Sequence, residues 1–242
     1  MSTYRKYPKT FHIPTSLNLQ NDDRRIDSMD AFQGQRVIVT VKADGENTNC
    51  YNDRVHARSI DSGDHVSRHW MKAFHASIKH DIPEGWRICG ENCYALHSIY
   101  YNGLPSYFLA FGIYNEKNTC LSWDDTVEFC ELLNIHTVPV IYDGVYDAEK
   151  IQEAYDDNFT LGGWTPKENV NDDFKSFRDL IIKGHDLNNF AEQVEEGYVI
   201  RIAESFNYDD FQKSCAKWVR KSHVRCSDHW MSEMVIPNRL KG

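Results

Sequence analysis

The sequence predicts an α+β fold, mostly antiparallel sheets with flanking helices, in a single domain over residues 1–242. Three observations carry that expectation. Short runs rich in Val, Ile, Tyr and Phe recur along the chain, while only a few stretches show helical spacing. No internal repeat or low-complexity linker divides it. A chain of 242 residues with 41% hydrophobic and 13% aromatic content is long enough to bury one large core.

The first strong strand is 37–41 (VIVTV), which ends at Lys42. GENTN, 45–49, is expected to turn the chain, with 54–58 (RVHAR) as a hairpin partner. A helix follows over 67–82, where Trp70, Phe74, Ile78 and Ile82 recur every four residues as one apolar stripe. Strands are predicted at 86–91 (WRICGE) and 107–114 (YFLAFGIY). Ser122 with Asp125 has the spacing of a capping box before a helix to about Leu133. VPVIY at 138–142 reads as a strand and 147–155 as a short helix. The polar, Gly/Asn/Asp-rich stretch 156–175 is expected to be a long loop, part of an insertion over 156–185 with a helix at 174–183. GYVIRI at 197–202 and CAKWVR at 215–220 complete the strands, and 222–242 is expected to be a tail packed on the domain.

Composition narrows the class. No apolar run approaches the ~18–20 residues of a membrane span, and MSTYRKYPKT carries no apolar secretory segment. A cytoplasmic monomer is expected. Seven cysteines, an odd number, point to reduced thiols rather than a disulfide framework. Cys89, Cys93 and His97 sit four apart, but no second Cys/His pair completes a tetrahedral zinc site, so they are expected to be buried structural groups. Lys and Arg total 27 against 36 Asp and Glu, a net charge of −9. A nucleic-acid-binding chain of that charge must gather its basic residues in one cleft, and its affinity should be modest and salt-sensitive.

Lys42 is the first candidate for chemistry. It follows an apolar strand directly and precedes Asp44-Gly45, a pair that permits a tight turn, and the polar Glu46, Asn47 and Thr48 cluster behind it. A nucleophilic lysine must be neutral to attack, whereas a free one titrates near ~10.4. Neighbouring cations or burial can lower that value.

KADGEN at 42–47 resembles the KxDG nucleophile motif of the covalent nucleotidyltransferases, which comprise DNA ligases, RNA ligases and capping enzymes. Further segments follow in the family's order. HARS at 56–59 is similar to the next motif, with Arg58 as its basic residue. GEN at 90–92 resembles the motif whose glutamate, here Glu91, holds the ribose. FLAFGIYN at 108–115 resembles the strand whose aromatic, Phe111, stacks on adenine. EEGYVIR at 195–201 is similar to the motif in which Glu196 positions metal and phosphate, and AKWVRK at 216–221 to the one whose lysine, Lys217, meets the α-phosphate. Taken singly, each has an ordinary reading: a core phenylalanine, a solvated glutamate at a strand start, an exposed strand lysine, a hairpin arginine. Their order across 42–221 is what carries the likeness.

The resemblance implies an ATP-grasp-like adenylation domain without an appended OB-fold, and an ATP-dependent polynucleotide ligase that joins a 3′-OH to a 5′-phosphate through lysyl-AMP and an adenylylated end. It implies Lys42 as nucleophile and Lys217 as its catalytic partner. Asp44, Asn47, Arg58, Glu91, Phe111, Glu196 and Lys217 would bind the nucleotide, with Glu196 also on Mg²⁺ or Mn²⁺. Asn47, five residues after the lysine, is similar to stand-alone RNA ligases of the T4 RNA ligase 2 branch, so RNA or mixed RNA/DNA joints are favoured. The alternatives are a minimal ATP-dependent DNA ligase and a module that binds ends without sealing them. An end-healing kinase/phosphatase is the partner such an enzyme would work with. Val41 stands where that branch has a glutamate, which bears on contact with the adenine edge. Arg68, Lys72, Lys213, Arg220, Lys221 and Arg225 are the basic candidates for nucleic-acid contact.

Overall fold

A computed structural model describes residues 4–16, 19, 22–156, 163–166, 190–192, 195–220 and 234–242. The chain opens with β1 (Phe11–His12), then β2 (Arg36–Val41), β3 (Glu46–Cys50) and β4 (Val55–Ala57). Helix α1 (His69–Ile78) follows, with short 3-10 turns on both sides of it. Next come β5 (Arg87–Asn92), β6 (Tyr100–Leu104), β7 (Phe108–Tyr114), β8 (Thr119–Cys120), α2 (Trp123–Leu132), β9 (Val140–Val145) and α3 (Ala148–Asp156). Beyond them lie β10 (Gly163–Pro166), β11 (Phe190–Glu192), β12 (Gly197–Ile202), β13 (Phe206–Asn207), the one-turn α4 (Phe211–Ser214), β14 (Cys215–Val219) and β15 (Arg239–Leu240).

The described strands form three sheets. One runs β1-β14-β12-β2-β9, a second β13-β8-β7-β5-β3-β4, and a smaller third β11-β10-β6-β15. Pairing is antiparallel except for β1 with β14 and β15 with β6, which are parallel. The first sheet packs Val37, Val39, Ile200 and Ala216 against Ile151 and Tyr155 of α3, while Ile88, Phe108 and Ile113 of the second meet Met71 and Ile78 of α1. Ser122 caps α2 as its spacing predicts, accepting from the Asp125 amide at 3.1 Å.

Two expectations change. GENTN is largely strand, not turn: Glu46–Cys50 pairs with both β4 and β5, and the chain bends earlier, over Ala43–Gly45. The hairpin partner of 54–58 is therefore β3, and β2 belongs to the other sheet. Strand β6 has no counterpart in the sequence reading, because YYNGL contains the Asn-Gly pair of a turn; it is held as a strand by β10 on one side and β15 on the other. The predicted helix at 174–183 lies outside the described residues. So does the 156–185 insertion apart from Asp156 and β10, and so does the 222–242 tail before residue 234. Residues 234–242 pack against β6 through the buried Asn238, whose Oδ1 accepts from the Tyr101 amide at 2.9 Å.

Candidate active site

The loop 42–45 carries the chain from the first sheet to the second, and the cavity between those sheets opens beside it. It measures about 320 Å³. One wall is a row across the first sheet: Thr40 of β2 opposes Val199 of β12, which opposes Lys217 of β14; behind the wall, Lys217 opposes the buried His12 of β1. The facing wall holds Asn47 of β3, Glu91 of β5 and Phe111 of β7, with Arg58 beyond β4. Asn47 and Glu91 are direct cross-strand partners, so their side chains leave the sheet on the same face.

Lys42 sits at the hinge between the walls. Its amide donates to the carbonyl of Gly197 at 2.9 Å, which ties the end of β2 to the start of β12. Gly197 has no room for a side chain, since a Cβ there would come within 2.0 Å of the Trp218 carbonyl oxygen. That close packing puts the preceding Glu196 next to Lys42, with Nζ and Oε1 2.5 Å apart. The Glu196 side chain is 3% exposed and that of Lys42 23%, so the carboxylate is sunk while the amine still reaches the cavity.

Phe111 is the one residue of β7 that is not fully buried. The cause is a β-bulge. Ala110 pairs with Gly90 and Gly112 with Cys89, which leaves Phe111 as the extra residue with its ring turned into the cavity. Gly90 cannot carry a Cβ, which would overlap the Phe108 ring at 2.4 Å.

The electrostatics centre on the carboxylates around Lys42. Burial pushes the Glu91 carboxyl up to about 8; Lys42 opposes the shift and Glu196 adds to it. Around Phe111 the titratable groups are buried as well. Burial holds the Tyr7 phenol, whose ring meets Phe111 edge-on at 5.1 Å, well above its usual range, and it raises the Cys120 and Cys215 thiols as well. A site that is anionic and cationic at one end and apolar with a flat ring at the other suits an amphipathic, phosphorylated ligand.

Lys42, Asn47, Arg58, Glu91, Phe111 and Lys217 thus line one cavity, and Glu196 joins it through Lys42. Asp44, expected in the same set, does not line it. Its Oδ2 accepts from the Ser98 amide and hydroxyl, both at 2.7 Å, and from the Ile99 amide at 2.8 Å. It holds the approach to β6 in place. Sequence reading did not single out Tyr7, Asp23, Thr40, Val199 or Arg201 of the same lining. Of the basic residues proposed for nucleic acid, Arg68 pairs with Glu46, its Nε 2.7 Å from Oε2, the half-exposed Lys72 meets Asp64 at 2.6 Å, and the Arg220 amide donates to the Glu196 carbonyl at 3.0 Å. Lys213 meets Asp210 at 3.8 Å; Lys221 and Arg225 lie outside the described residues.

Among the described residues no group of three or more His, Cys, Asp or Glu is arranged to hold a metal ion by itself. Mg²⁺ is commonly held by one or two carboxylates together with substrate phosphates. Glu196, a hard oxygen donor paired to Lys42 beside the cavity, has the right chemistry for that arrangement. The described cysteines are free and buried, and no described helix is long and apolar enough to cross a membrane.

Comparison with known proteins bears on what this site belongs to. Solved structures of a Naegleria gruberi RNA ligase resemble the chain. With PPi bound, that protein is 16% identical, covers 91% of this chain and 61% of its own, and superposes with a TM-score of 0.48. A mutant with ATP and Mn is 17% identical, covering 80% of this chain and 52% of its own, at 0.45. The chain therefore spans only about half to three-fifths of those proteins. No curated protein sequence matches it. The family model for RNA ligase matches residues 35–219, a span that holds Lys42, Arg58, Glu91, Phe111, Glu196 and Lys217, and the chain belongs to the RNA ligase family.

Proposed function

We propose that this chain is an ATP-dependent polynucleotide ligase that forms lysyl-AMP on Lys42 and seals 3′-OH to 5′-phosphate ends, with RNA on at least the strand being joined. The observation that carries the reading is the convergence of Lys42, Glu91, Phe111 and Lys217 on one cavity, with Glu196 paired to Lys42, in a chain of the RNA ligase family.

In the first step the Lys42 amine attacks the α-phosphorus of ATP. An N–P bond forms, the α–β phosphoanhydride breaks, and pyrophosphate leaves. The ammonium proton must depart first, and Glu196, 2.5 Å away, is the acceptor in position for it. Lys217 meets the charge that builds on the phosphoryl oxygens. Phe111 offers a face to adenine, and Glu91 takes hydrogen bonds from, or gives one to, the ribose hydroxyls. Glu196, once it has passed the Lys42 proton to water, would hold a divalent cation, which would supply further charge neutralisation. AMP then passes from Lys42 to a 5′-phosphate, and a 3′-hydroxyl displaces it to form the phosphodiester.

Intact-mass measurement after incubation with ATP and Mg²⁺ tests the first step. An AMP adduct on wild type and none on Lys42→Ala is expected. No adduct with any of the four nucleotides and either Mg²⁺ or Mn²⁺ would overturn the reading. Nicked RNA, mixed and all-DNA duplexes then decide the joint, and sealing of DNA alone would make this a DNA ligase despite its family.

A further inference from the structure

The family match begins at residue 35, yet the segment before it touches three residues of the site. The Tyr7 ring packs on Phe111 and its carbonyl accepts from Arg58 Nε at 3.3 Å. The densest contact is at Lys217. Strand β1 pairs in parallel with β14 so that His12 opposes Lys217, and the Ile13 amide donates to the Lys217 carbonyl at 2.8 Å. Asp23, farther along the same segment, brings Oδ1 to 3.2 Å from Lys217 Nζ and Oδ2 to 3.3 Å from His12 Nε2. His12 Nδ1 in turn lies 2.7 Å from Ser16 Oγ, which accepts from the Val219 amide at 3.1 Å.

From these contacts we infer that Asp23, oriented by His12, is a positioning residue for Lys217, supplied by a part of the chain outside the family match. The inference rests on the ligase reading above, because it assigns Asp23 a purpose only if Lys217 meets phosphate. An ammonium as buried as that of Lys217, whose side chain is 10% exposed, is costly without a counter-charge, and Asp23, itself 4% exposed, provides it before any nucleotide arrives. The hydrogen bond from Lys217 to one carboxylate oxygen sets the direction of the amine as well as its charge, and His12 lies against the other oxygen at 3.3 Å. Three N–H donors let Lys217 keep Asp23 while it turns another donor to an incoming phosphoryl oxygen. Ser16, His12 and Asp23 have the contact order of a hydrolytic triad, but Ser16 and His12 are fully buried, so this constellation braces β14 and presents no nucleophile.

The test is a double-mutant cycle on single-turnover formation of Lys42-AMP at saturating ATP. Asp23→Asn should slow the step roughly tenfold in the wild-type background and have no further effect on Lys217→Ala, since what Asp23 positions is then gone. Equal slowing in both backgrounds would assign Asp23 a general structural role and overturn the inference. Faster adduct formation or a lower ATP KM in Asp23→Asn would overturn it differently, as the carboxylate would then be holding Lys217 away from the nucleotide. His12→Gln, which frees Asp23 without removing a carboxylate, is the second variant if Asp23→Asn does not fold, and should show the same dependence on Lys217 at smaller amplitude. Wild type that forms no adduct at all breaks the ligase reading rather than this one.

Discussion

The wall made by β2, β12 and β14 and the wall made by β3, β5 and β7 contribute unlike chemistry to one cavity. The first carries amines: Lys217 inside its central row and Lys42 at its edge, each held by a carboxylate at 3.2 Å and 2.5 Å. The second carries an amide, an acid and a ring, Asn47, Glu91 and Phe111, with the Arg58 guanidinium at its margin. A substrate with an anionic end and a flat, hydroxyl-bearing end meets complementary groups only if it lies across both. The two walls therefore should fail in different ways. Losing a cation should slow the chemical step, and losing the ring should weaken binding.

Lys217→Ala gives the larger effect. Removing a cation aimed at the charge that develops on phosphorus should lower the rate of Lys42-AMP formation by on the order of 10²–10³ with a modest change in ATP KM. Quench-flow against ATP concentration separates the two parameters. A rate within a factor of two of wild type would remove Lys217 from the phosphate end and leave the first wall without its function. Phe111→Ala should do the reverse. Loss of base stacking is worth about 1–3 kcal/mol, so KM for ATP should rise roughly tenfold or more with the saturated rate less affected. A fall in the saturated rate alone, with KM unchanged, would erase the distinction between the walls.

The first wall was far more legible in the sequence than the second. VIVTV and GYVIRI declare themselves by β-branched runs, and the residues that follow or precede them are the functional ones. ENTNC does not, although it is as much a strand: Asn47 lines the cavity and the fully buried Asn49 donates to its Oδ1 at 3.2 Å, so the alternation of apolar and polar residues that marks a half-buried strand is missing. YFLAFGIY is apolar on both faces, and only the bulge opposite Cys89 and Gly90 decides that Phe111 rather than Phe108 faces the cavity. Asp44 shows the opposite failure. Its place in the KADGEN run suggests ligand contact, while its geometry spends the carboxylate on Ser98 and Ile99, more than fifty positions away. Asp23 and His12 carry no local signal at all. His12 reaches Lys217 through a parallel pairing of β1 with β14 across some two hundred residues, and Asp23 reaches it by its side chain from the loop that follows, which no periodicity encodes.

Glu91 gives the smallest effect and tests the second wall without any nucleotide. Its carboxyl is pushed up to about 8 by burial, against an ordinary value of 4.5. Between those two pH values the folded chain holds a proton that the unfolded chain has released, so this residue makes the protein progressively less stable as pH rises from about 4.5 to about 8, and adds nothing further above that. Glu91→Gln keeps the shape and cannot ionise. The variant should therefore match wild type in thermal midpoint at pH 4.5 and exceed it at pH 8 by at least about 2–4 °C, the equivalent of one kcal/mol in a domain of this size. Taking the difference between the two proteins cancels every other titrating group they share. A constant difference across that range would mean that Glu91 is already ionised in the empty cavity, held by Lys42 more strongly than burial opposes it. The two walls would then be joined by a charge pair before ATP binds, and loss of Lys42 would cost stability as well as chemistry.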